Sequence, residues 1–124
     1  MQLSHERPDY GFVLRGADAR SARVNDRILT RSFAITPDRL LEDWDAPASP
    51  AALEPAHLAK LLDLQPELVV LGTGERQVFP PAAAMAACLT RGIGIEAMDN
   101  AAAARTYNVL AGEGRRVVVA LLLG

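Results

Sequence analysis

Glu67-Leu68-Val69-Val70-Leu71-Gly72-Thr73-Gly74 reads as a strand that stops abruptly at glycine. The aliphatic run Leu68 to Leu71 leaves no polar face, the pattern of a strand covered on both sides. Toward the C-terminus, Pro81 opens a helix that ends at Arg91-Gly92, with glycine where a left-handed residue closes a helix. Ile93 to Met98 is the next strand. Asp99 or Asn100 then caps a helix that runs to Ala111 and stops at Gly112, and Arg116 to Leu123 is the last strand. Strand–helix–strand–helix–strand with connections this short predicts a βαβαβ unit of parallel neighbours joined by right-handed crossovers.

Toward the N-terminus the elements shorten. Pro55 suits the first position of a helix whose Leu58, Leu61 and Leu62 recur at helical spacing. The breaker Ala46-Pro47-Ala48-Ser49-Pro50 reads as a loop within one domain. Before it, Tyr10 to Leu14 is expected to be a strand closed by Gly16, and Asn25-Asp26 to turn a hairpin between Val24 and Ile28. Ser32 to Ile35 is a further strand, Thr36-Pro37-Asp38 a turn, and Leu40 to Trp44 fits either a strand or one helical turn. Residues 1–8 are polar and expected to form a flexible tail, leaving residues 9–124 as a single domain. A chain of 124 residues buries roughly two-thirds of its unfolded surface, so it folds without a metal or disulfide.

The formal net charge of −2 provides no sequence-wide basic field for nucleic acid. Charge is nevertheless uneven: residues 1–36 hold six Arg against four acids, whereas residues 37–75 hold two basic residues against eight acids. The longest apolar run, Val117 to Leu123, is far shorter than the ~20 residues a membrane-spanning helix needs. The lone Cys88 permits no intramolecular disulfide, and the start lacks an apolar leader core, so a soluble protein of the reducing cytoplasm is expected.

Gly72-Thr73-Gly74 is the best candidate binding loop, because ligands of open α/β sheets collect at the carboxyl ends of strands. The dinucleotide fingerprint is broken, however. No third glycine stands at Arg76 or Gln77, and the next helix begins only at Pro81, too late to cradle a phosphate. A small anionic ligand there would be met by Thr73, Arg76, Asp99, Arg105 and Asn108. For Arg105 the expected role is structural, as a partner for Asp99 or a carbonyl, with the ligand contact as the alternative. A side chain at Gly72 is expected to block close approach of a ligand at little cost in stability. In the last helix Ala103, Ala104, Tyr107, Leu110 and Ala111 form the core stripe, while Val109 on the opposite face suggests weak self-association. His5 and His57 lack a spaced second ligand, Cys88 sits in an Ala-rich helix, and no nucleophile–base–orienter set assembles. Neither a catalytic residue, a cofactor nor a metal is therefore assigned.

Leu71-Gly72-Thr73-Gly74, the Phe79-Pro80-Pro81 helix start, Gly92 to Asp99 and Arg105-Thr106-Tyr107-Asn108-Val109-Leu110, in this order, resemble the Mth938-like domain family. These are small uncharacterised bacterial and archaeal proteins, with the mitochondrial complex I assembly factor 3 and an adipogenesis-associated cytosolic protein among their relatives. The resemblance covers about Tyr10 to Leu123. It implies a single α/β domain, with β-hairpin elements packed on a mixed central sheet that has helices on its faces. It also implies a protein partner in an assembly role rather than an enzyme activity. Asn100 stands where many relatives are expected to carry Thr.

Overall fold

The computed structural model describes residues 10–124, and the tail expected over residues 1–8 lies outside the described residues. Eight strands and three α-helices, with one short 3-10 turn, follow in order: β1 Leu14–Ala17, β2 Ala22–Val24, β3 Arg27–Leu29, β4 Phe33–Thr36, β5 Arg39–Leu41, the 3-10 turn Pro50–Ala52, α1 Pro55–Leu62, β6 Leu68–Gly72, α2 Ala82–Leu89, β7 Gly94–Met98, α3 Asn100–Gly112 and β8 Val117–Leu121. Strands β1 to β3 form a small antiparallel sheet. The others form a mixed sheet in the order β5-β4-β8-β6-β7, with β6 parallel to both β7 and β8 and β4 antiparallel to β8 and β5.

The expected βαβαβ unit is present, and its first strand lies at the centre of the parallel part. Alternation along the strands explains why β6 and β8 are apolar throughout. Val70, Val117, Val119 and Leu121 face one core with α3, while Val69, Leu71, Val118 and Ala120 face a second core with α1 and α2. The three-stranded sheet closes the α3 side through Leu14, Ala22, Val24 and Leu29. Asn25 turns its hairpin with φ 52°, as an Asn can. Arg39–Leu41 is a strand, which settles the ambiguous Leu40–Trp44 stretch in favour of a strand followed by a turn.

The first strand is displaced from its expected position: β1 begins at Leu14, and Gly16 lies inside it at a register shift. The cause is tertiary. The amides of Gly11 and Phe12 donate to the Pro37 carbonyl at 2.9 and 3.3 Å, and the Tyr107 hydroxyl donates to the Phe12 carbonyl at 2.6 Å. This segment is thus held by the β4–β5 turn and α3, and only from Leu14 does it have β2 as a ladder partner.

Candidate functional site

Gly72 ends β6 directly beneath the first turn of α3. A Cβ added there would collide with Leu121 Cδ2 and Asn100 Oδ1, so one of these two fully buried side chains would have to move to admit it. Gly72→Val would thus disrupt buried packing, which corrects the expectation of a substitution cheap in stability. Thr73 is 7 % exposed, and its amide donates to the Met98 carbonyl. Its hydroxyl donates to the Arg76 carbonyl and accepts from the Val78 amide at 3.0 Å. Gly74 adopts φ +106° and donates its amide to Asn100 Oδ1 at 3.0 Å. The amides of Thr73, Gly74 and Val78 are therefore all engaged within the chain.

The partner that organises this loop is Asn100, fully buried at the start of α3. Its amide donates to the Gly74 carbonyl at 2.8 Å, and its Nδ2 donates to the carbonyls of Asp18 and Leu122, each at 2.9 Å. Asp99, not Asn100, is the N-cap: its Oδ1 accepts from the Ala102 amide at 2.8 Å. The sequence marked Asn100 only as a capping alternative, since its partners lie far away along the chain.

Of the other candidate residues, Arg76 and Arg105 are exposed, and neither forms an ion pair among the described residues. The expected Arg105–Asp99 pair is not among the ion pairs of these residues. Asn108 lies two turns along α3 from Asp99 and fastens β1 instead. Its Oδ1 accepts from the Leu14 amide at 3.1 Å and the Tyr10 hydroxyl at 3.2 Å, and its Nδ2 donates to the Leu14 carbonyl. Gly72, Thr73, Gly74 and Asp99 thus cluster around Asn100, whereas Asn108 belongs to a separate contact.

The two best-formed cavities among the described residues are lined by none of Gly72, Thr73, Gly74, Arg76, Asp99, Arg105 or Asn108. The larger, about 600 Å³, lies at the opposite end of the parallel strands, where β8 begins and α3 ends. The smaller, about 340 Å³, lies on the hairpin beside Arg15, Arg23 and Ile28. Among the described residues no group of three or more His, Cys, Asp or Glu could hold a metal ion, and no helix is long and apolar enough to cross a membrane.

A sequence profile of proteins of unknown function, DUF498/DUF598, matches residues 14–122. The chain belongs to that family. A protein of Xanthomonas campestris solved by NMR is 57 % identical to this DUF498 chain, with a TM-score of 0.84 over all of this chain and 93 % of that one. A Mth938-like domain from Bordetella pertussis is 30 % identical, with a TM-score of 0.80 over 98 % of this chain and 92 % of that one. The NADH dehydrogenase [ubiquinone] 1 alpha subcomplex assembly factor 3 of Danio rerio is 31 % identical over 113 residues, 90 % of this chain and 64 % of the fish protein. The expected Mth938-like α/β fold and the kinship to an assembly factor are thus both found. The DUF498 chain spans somewhat less than two thirds of the fish protein's length.

One surface feature of this DUF498 domain carries no sequence motif. Helix α2 carries no charged residue from Ala82 to Leu89, yet only Ala84 and Cys88 are buried. Burial pushes the Cys88 thiol above its usual pKa, marking it as a packed hydrophobe. Ala82, Ala83, Ala86 and Leu89 face solvent, and the preceding segment adds Val78 and Phe79. Phe79 is 71 % exposed and Leu89 59 %.

Proposed function

We propose that the domain over residues 9–124 is a non-catalytic protein-binding module that serves the assembly of a larger complex, docking its partner on α2 and the Val78-Phe79 segment. One observation carries this reading: α2 is apolar all round, a composition suited to a helix covered on every side, yet one face lies bare. Kinship to a protein named as an assembly factor supports a protein as the occupant. The lone, buried Cys88 suits a reducing compartment, and we assign the cytoplasm.

A photo-crosslinking amino acid at position 79 tests the docking face directly. A discrete heterologous protein captured there, and not by the same probe at exposed Glu113, supports the reading. Capture of a second copy of this chain would replace the assembly reading with self-association through α2. Equal capture at both positions, or none, contradicts it.

A second reading has its own observation. Arg76 and Arg105, both without an ion pair among the described residues, could hold a small anion at the Gly72-Thr73-Gly74 loop beside Asp99, with Asn108 further along α3. Titration with inorganic phosphate that shifts the amides of residues 73–76 would support it, and silence there would exclude it.

A further inference from the structure

We propose that the cavity of about 600 Å³ at the amino ends of the parallel strands binds a small organic anion, a carboxylate or phosphate monoester carried on a compact apolar body. Its size falls in the range of about 300–1,000 Å³ typical of small-molecule sites. The walls supply both halves of such a ligand. Leu64, Pro66, Pro37, Val117 and Tyr10 provide apolar lining, and Arg39, Arg115 and Arg116 line the same space, three cations against one carboxylate, Asp38, which accepts from the Thr36 hydroxyl at 2.8 Å.

These cations are not equally available. Arg115 faces Glu67 at 3.7 Å, and Arg116 donates through Nε to the Gln65 carbonyl at 3.1 Å. Arg39 has no ion pair among the described residues. The Arg116 amide, followed by the charges of Arg115 and Arg116, holds the Glu67 carboxylate below its usual pKa, so that acid stays ionised and keeps Arg115 in place. Arg39 is therefore the guanidinium left for a bidentate contact with an incoming carboxylate or phosphate. Space for the apolar body comes from glycine. At Gly112 an added Cβ would meet nothing nearer than Tyr10 Cε1 at 4.0 Å, and at Gly114 it would meet nothing within 4 Å.

That vacancy provides a clean test. Gly112 sits at the end of α3 without positive φ, so Gly112→Leu fills the cavity without backbone strain and replaces a poor helix former. Amide NMR of the full chain, titrated separately with benzoate, phenyl phosphate and inorganic phosphate, reads the outcome. Benzoate or phenyl phosphate, at concentrations of about 1 mM that detect even weak sites, is expected to shift the amides of Gly11, Arg39, Gly112, Gly114 and Val118. Which of the two binds more tightly identifies the anionic group. Gly112→Leu should abolish the shifts with an unlowered melting temperature, and Arg39→Gln should weaken binding several-fold. The proposal is overturned if neither organic anion shifts these amides or if inorganic phosphate alone reproduces the whole pattern. Undiminished binding in Arg39→Gln overturns it as well, and that variant decides the matter if Gly112→Leu does not fold.

Discussion

Asn100 and Gly74 bond to each other twice. The Gly74 amide donates to Asn100 Oδ1 at 3.0 Å, while the Asn100 amide donates to the Gly74 carbonyl at 2.8 Å. Because Asn100 Nδ2 also holds the carbonyls of Asp18 and Leu122, one buried side chain joins the β6 loop, α3, the end of β8 and the β1–β2 turn. Asn100→Ala would leave these buried partners unpaired, at an expected cost of about 3 kcal/mol. Urea denaturation should show this as a lowered midpoint with an unchanged slope. A variant within experimental error of wild type would remove the clasp from the account.

Gly72 tests the same junction from the strand side. Gly72→Ala places a methyl group against Leu121 and Asn100, both fully buried, and should cost about 2–3 kcal/mol through overpacking. Gly114→Ala makes a useful comparison, since its Cβ meets open space and only the φ of +77° opposes it. Thermal melts should therefore rank Gly72→Ala well below Gly114→Ala, and the reverse order would refute the close approach of α3.

Tyr107 makes stability depend on alkaline pH. Burial, then the neighbouring Tyr10 and Asp38, raises its hydroxyl well above the ordinary tyrosine value of 10.0. The unfolded chain releases this proton above about pH 10 while the folded chain keeps it, so the native state binds more protons there. The contribution is complete below that pH and is lost as pH climbs toward the raised value. Tyr107→Phe should cost about 1–2 kcal/mol near neutrality, from the lost bond to the Phe12 carbonyl, yet decline less between about pH 8 and pH 11. Urea titrations at the two pH values check both parts.

The parallel unit was legible because its signals are local. The aliphatic run ending at Gly72 reports burial on both faces, and Gly92, with φ +72°, closes its turn as a left-handed glycine should. What stayed hidden depends on distant contacts. Tyr10 to Val13 has the composition of a strand, but the Pro37 carbonyl, the Asn25 turn and the Tyr107 hydroxyl supply its partners, and no local pattern reports them. Asn100 looked like a capping residue because its contacts with Asp18 and Leu122 span 82 and 22 positions. The larger cavity is lined by residues from the start of the domain, the β4–β5 turn, the α1–β6 connection and the end of α3, so no motif marks it. Helix α2 was the exception. Its uncharged run from Ala82 to Leu89 was visible, but whether such a helix is buried or bare depends on what the fold packs against it.

In the proposed function the bare face of α2 holds a protein partner. The double substitution Phe79→Ser/Leu89→Ser removes its two most exposed large apolar side chains, and neither is part of a buried core. With the partner identified by crosslinking at position 79, the most direct measurement is its affinity for wild type and for this double variant, alongside a thermal melt of each. A loss of at least about tenfold in affinity, some 1.4 kcal/mol, is expected, with the melting temperature preserved. Equal affinity for the two proteins would contradict it.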